Sequence, residues 1–115
     1  MEEIIMNLIV NGGNARSNAM AAIENAKSGE IESARELIVE ANEALDRAHD
    51  YQTKLIQKEA EGNKTEVSIL MVHAQDHLMN AMTITDMANE FIYMYEAFEN
   101  IKNEVTHIIN KEQSN

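Results

Sequence analysis

No proline interrupts this 115-residue chain, and it has only four glycines. Average usage of about 5% would bring roughly six prolines to a chain of this length. Proline and glycine are the main punctuation between elements, so their scarcity predicts long helices. Two breaks stand out. Lys27-Ser28-Gly29-Glu30 follows an Ala-rich run, and Glu30 and Glu32 then suit a new first turn. Glu61-Gly62-Asn63-Lys64-Thr65 offers a glycine stop and a threonine cap with Glu66 behind it. The expected helices are 2–27, 31–61 and 66–109.

Asn11-Gly12-Gly13-Asn14 sits inside the first segment. Each helical glycine costs roughly 1 kcal/mol relative to alanine. The pair therefore marks a kink, a close backbone crossing, or a backbone that approaches a ligand or partner. The second segment is amphipathic. Ile31, Ala34, Leu37, Ile38, Ala41, Leu45, Ala48 and Leu55 form its apolar stripe. Its other face, with Glu36, Glu40, Glu43, Asp46 and Arg47, is expected to be solvated.

The third segment carries two stripes. Val67, Leu70, Met71, Ala74, Leu78, Ala81, Met82, Thr85, Ala88 and Ile92 suffice as the core face of a three-helix bundle. Ile69, His73, Asp76, His77, Asn80, Ile84, Met87 and Phe91 lie roughly a quarter-turn away. One buried stripe per helix is enough for a monomer. The second predicts burial against another copy of the chain. After Phe98, residues Ile101, Val105, Ile108 and Ile109 keep helical spacing, either extending the third helix or docking as a tail. His107 is read as a surface residue.

Composition excludes several functions. With 20 Asp+Glu against 9 Lys+Arg, the net charge is −11, which argues against nucleic acid or an anionic membrane as partner. There is no cysteine, hence no disulfide, thiolate metal site or cysteine nucleophile. Apolar runs such as Leu8–Val10 and Ile69–Val72 fall far short of the about 20 residues of a membrane span. Glu2 and Glu3 stand where a secretory signal would be basic, so a soluble, cytoplasmic protein is expected.

Chemistry concentrates at His73-Ala74-Gln75-Asp76-His77. Positions i, i+3 and i+4 share one helix face, so His73, Asp76 and His77 converge. A polar patch in a helix interface is one reading. Zinc held by His73 and His77 is another, although Asp76 replaces the glutamate of the HxxEH peptidase motif. No Glu-x-x-His motif supports a di-metal bundle. The third is nucleophilic catalysis, since neutral imidazole attacks phosphorus readily near pH 7. Spacing alone does not choose among them.

Three motifs together resemble the lactose/cellobiose-type enzyme IIA of the bacterial phosphoenolpyruvate-dependent sugar phosphotransferase system. They are Gly13-Asn14-Ala15-Arg16-Ser17; Ala48-His49 with Gln52-Thr53, Leu55, Glu59-Ala60 and Gly62; and His73-Ala74-Gln75-Asp76-His77-Leu78-Met79. They occur in the family's order, and the likeness spans about residues 4–98. The resemblance implies an all-α, antiparallel three-helix subunit in a homotrimer, with a IIA domain over 1–98 and a C-terminal extension over 99–115. It implies that His73 is the phosphorylated residue, and that three Asp76 side chains share a divalent cation, usually magnesium, on the trimer axis. Three like charges buried together need such an ion or a raised pKa. The phosphoryl donor implied is the histidine-phosphocarrier protein HPr. The acceptor is a cysteine of enzyme IIB, and membrane enzyme IIC takes up the β-disaccharide, whether cellobiose, chitobiose or lactose. Gln75 and His77 are candidate active-site neighbours, Gly13 and Arg16 candidates for shaping the nearby surface. His49 is a candidate for a hydrogen bond on helix two.

Overall fold

The computed structural model describes residues 2–114. Three helices account for nearly all of them: α1 Glu2–Lys27, α2 Ile31–Ala60 and α3 Ile69–Gln113. Both connections have as their second residue a glycine in the left-handed region, Gly29 at φ +86° and Gly62 at φ +94°. Each closes a helix in the same way. Gly29 N–H donates to Ala26 O and Glu30 N–H to Asn25 O; Gly62 N–H donates to Glu59 O and Asn63 N–H to Lys58 O. This paired pattern satisfies carbonyls that the helix end would otherwise orphan, and a side chain at either glycine would be strained.

Cross-helix contacts set the direction of each helix. Asn11 meets Arg47, and Asn25 meets Ser33, so α1 and α2 are antiparallel. Arg35 meets Glu96 and Gln52 meets Gln75, so α2 and α3 are antiparallel as well. Short connections impose this up-down-up order. The expected three-helix bundle is therefore present within the chain.

Small residues make the core. Ala15, Ala19, Ala22 and Ala26 on α1 face Ala34, Ala41, Ala44 and Ala48 on α2 and Ala74, Ala81 and Ala88 on α3. Alanine stripes let helices approach closely, and larger side chains fill the gaps between them. Leu8, Leu45, Leu55, Met71 and Leu78 fill one half of the bundle; Ile38 and Ile92 fill the other. Asn11 is buried but satisfied: its Nδ2 donates to Asn7 O at 2.9 Å, and its Oδ1 accepts from Arg47 Nε at 3.0 Å.

Helix boundaries differ from expectation at α3. Ser68, not Thr65, is the cap; its Oγ accepts from Met71 N–H at 3.1 Å. A further turn would have added nothing to the core, because Val67 is 79% exposed in the chain. Leu70, also assigned to the core stripe, is half exposed. At its other end α3 runs on to Gln113 without a break at Phe98. The segment after Phe98 extends the helix and does not fold back as a tail.

The double glycine produces no break in α1, which is helical throughout. Gly12 is buried where α1 crosses α3: a Cβ there would lie 3.1 Å from the backbone carbon and oxygen of His77. Gly13 has no such neighbour. Of the two glycines, one is required by a close crossing that places the His77 turn directly on α1.

Candidate functional site

Ser68 starts α3 so that Met71, Ala74 and Leu78 point inward, to the bundle core. The helical repeat then sends His73, Asp76, His77 and Asn80 outward together. Arg16 follows Gly12 by one turn of α1, which brings it beside this group. The five side chains line a shallow concavity of about 370 Å³. No backbone strain contributes: no cis peptide bond and no non-glycine residue with positive φ occurs among the described residues.

His73 is exposed and His77 half-buried. Their Nε2 atoms are 3.0 Å apart, with the ring planes at 88°. At that distance one nitrogen carries the proton and the other accepts it. When His77 donates, the Nε2 lone pair of His73 accepts that proton and so points at His77, and the His73 proton sits on Nδ1. A phosphoryl group arriving at that nitrogen displaces the bond. His77 N–H is then free to donate to a phosphoryl oxygen. Arg16 supplies the positive charge on the rim, a complement to phosphoryl oxygens.

Other candidates lie elsewhere. Gln75 turns away from His73; its Oε1 accepts from Gln52 Nε2 at 2.9 Å, joining α3 to α2. It lines a separate groove with Leu55, Thr65 and Met71. His49 is half-buried on α2 and does not line the concavity. Gly13 is half-buried on the α1 surface next to Arg16. Arg47, assigned to a solvated face, is tied to buried Asn11, a link that periodicity does not reveal.

Among the described residues no group of three His, Cys, Asp or Glu side chains is arranged to hold a metal ion. His73, Asp76 and His77 do not make such a group. Asp76 offers a single exposed carboxylate. A hard cation takes several oxygens, so Asp76 suits one only where copies of the chain bring their carboxylates together.

The fold and this constellation define a class: a small three-helix bundle with an exposed histidine, paired to a second, on its third helix. Comparison with known proteins is specific. Residues 3–96 match the family described as the PTS system lactose/cellobiose-specific IIA subunit, and the chain belongs to that family. It is a phosphotransferase component of a sugar uptake system. It is similar to the lichenan-specific phosphotransferase enzyme IIA component of Bacillus subtilis, 62% identical over 84% of this chain and 87% of the relative. It is also similar to the N,N'-diacetylchitobiose-specific component of Escherichia coli, 44% identical over 84% and 83%. Among solved structures, the cellobiose-specific enzyme IIA from Bacillus anthracis superposes with a TM-score of 0.85 at 54% identity, covering 86% of this chain and 91% of that one. The IIA(chitobiose) protein of E. coli, solved in complex with HPr, superposes at 0.74 with 42% identity, over 85% and 95%. These matches give no support to a zinc hydrolase.

Proposed function

We propose that His73 is the phosphoryl carrier of this IIA component. The observation that carries the reading is the exposed His73 imidazole, paired at 3.0 Å with His77 in the concavity that Arg16 rims. The His73 lone pair attacks phosphorus on phospho-HPr. A P–N bond forms to His73, and the P–N bond to the HPr histidine breaks, returning its electron pair to that imidazole. A cysteine thiolate of enzyme IIB then attacks the same phosphorus; a P–S bond forms and His73 recovers its lone pair. Positioning and charge compensation dominate such transfers. The solved complex of a relative with HPr supports the donor. The −11 charge favours partners that approach with basic or apolar faces.

The assembly we propose is a homotrimer built on the second stripe of α3. Met87, Phe91 and Met94 are at 53, 39 and 64% exposure in the single chain, an apolar face that a soluble helix buries against partners. Copies joined there bring three Asp76 carboxylates together, and a divalent cation, magnesium by its preference for oxygen, would neutralise them. The sugar class is a β-disaccharide, in line with the lichenan- and chitobiose-specific relatives. The transported sugar is selected by IIB and by IIC in the membrane.

Incubation with phosphoenolpyruvate, enzyme I and HPr is expected to give an acid-labile, base-stable label on the wild type and none on His73→Ala. Undiminished labelling of that variant would refute the assignment. Asp76→Leu removes repulsion and ion site together. The trimer should then persist without divalent cation in a sedimentation experiment, whereas dissociation of this variant alone would refute the shared-cation account.

A further inference from the structure

Beyond Glu99, α3 leaves the other two helices behind. A Cβ on Gly29, in the α1–α2 turn, would lie 3.3 Å from Glu99 Oε1, so the bundle ends there. Every residue from 100 to 113 is exposed. At ~1.5 Å per residue this overhang projects about 20 Å. It also lies outside residues 3–96, which match the family.

The overhang is not polar all round. Phe98, Ile101, Val105 and Ile108 succeed one another at intervals of three and four, and 49 to 64% of each is exposed. They continue the intervals of Phe91 and Met94 without a stutter. A straight α-helix drifts ~20° per heptad from such a repeat, so a strict seven-residue stripe stays on one face only in a supercoil with partner helices. Neither α1 nor α2 reaches this segment, so the partners come from other chains. The opposite face is Asn100, Asn103, Thr106, His107 and Asn110, as expected for solvent.

Two features choose the partner. Phe98 and Val105 fall at heptad position a, Ile101 and Ile108 at d. β-Branched residues at both positions favour three strands over two. Charge points the same way. The chain carries −11, but within 98–108 Lys102 offsets one of Glu99 and Glu104, leaving a net charge of −1 per copy, so copies of this segment meet with little net repulsion.

We propose that residues 98–108 form, with the same segment of two further copies, a parallel in-register coiled coil that extends the trimer beyond the three bundles. This rests on the trimeric reading above and adds to it a clamp outside the family's common core. The clamp holds the chains together at the end of the molecule remote from His73, so that the seam near the site need not supply all of the assembly energy.

Full-length wild type and Ile101→Asp/Ile108→Asp are compared by sedimentation over a dilution series. Both side chains are exposed in the single subunit, so its fold should survive, as far-UV circular dichroism checks. The wild type should remain trimeric to concentrations about 100-fold or more below those at which the variant dissociates, given six apolar side chains removed per trimer. A trimeric wild type with an equally stable variant would overturn the clamp and leave the trimer standing. A wild type monomeric at every concentration would overturn both. The chain has no cysteine, which permits a direct test of register. On oxidation Ile108→Cys should link two chains through equivalent residues, and Asn103→Cys, on the outer face, should not. Equal linking of both, or of neither, contradicts the parallel coil.

Discussion

The two stripes of α3 share one helix and one heptad spacing but differ in what they carry. The inner stripe, Met71, Ala74, Leu78, Ala81, Thr85, Ala88 and Ile92, alternates small with larger residues and is buried by α1 and α2. The outer stripe, starting at His73 and His77 and running through Met87 and Phe91, keeps large or ionisable side chains in the open. Small residues are needed where a helix of the same chain lies close, as at Gly12 and His77. Bulky ones suit a seam closed by other chains. The inner stripe therefore carries the stability of the subunit, and the outer one is where we propose its chemistry and assembly.

His73→Ala is the sharpest test of that division. Phosphorylation should be abolished, while unfolding in urea moves by about 0.5 kcal/mol or less, because an exposed side chain is removed. A large loss of stability would break the comparison at its most important residue. Leu78→Ala, on the buried side, should do the reverse. It should cost about 3 kcal/mol in the same urea experiment, and the surviving folded fraction should still accept the phosphoryl label. The crossing glycine comes next. Gly12→Ala is expected to destabilise by roughly 1–2 kcal/mol, since two backbones cannot part as easily as side chains. It should also disturb the His73–His77 pair, seen as altered imidazole NMR shifts. Gly13→Ala, with open space around it, should stabilise by about 0.5–1 kcal/mol in thermal unfolding. The smallest effect is at Thr85, whose buried hydroxyl has no hydrogen-bond partner. Thr85→Val should be neutral or stabilising by up to about 1 kcal/mol, measured by urea titration.

Much of the site was legible before any coordinates. His73, Asp76 and His77 share a face by helical arithmetic alone, and the concavity contains all three. Gln75 was not separable from them by motif, because one residue of rotation decides whether a side chain meets the histidines or, as here, α2 through Gln52. Arg47 illustrates the converse. Its place on a charged face hides a bond to buried Asn11 that exists only because α1 and α2 cross there. The cap of α3 fell on Ser68 instead of Thr65. Both residue types can accept the bond, and burial of Met71 settles between them.

The sequence by itself determined that the chain is helical, where its two turns lie, and that one helix carries two stripes. These follow from glycine, proline and apolar spacing, which act over a few residues. Only the tertiary structure decided that Gly12 rather than Gly13 marks the crossing, that Arg16 joins the histidines, and that α3 outruns its bundle at Glu99. Each depends on where a second helix passes or stops, and spacing along a single helix carries no record of that.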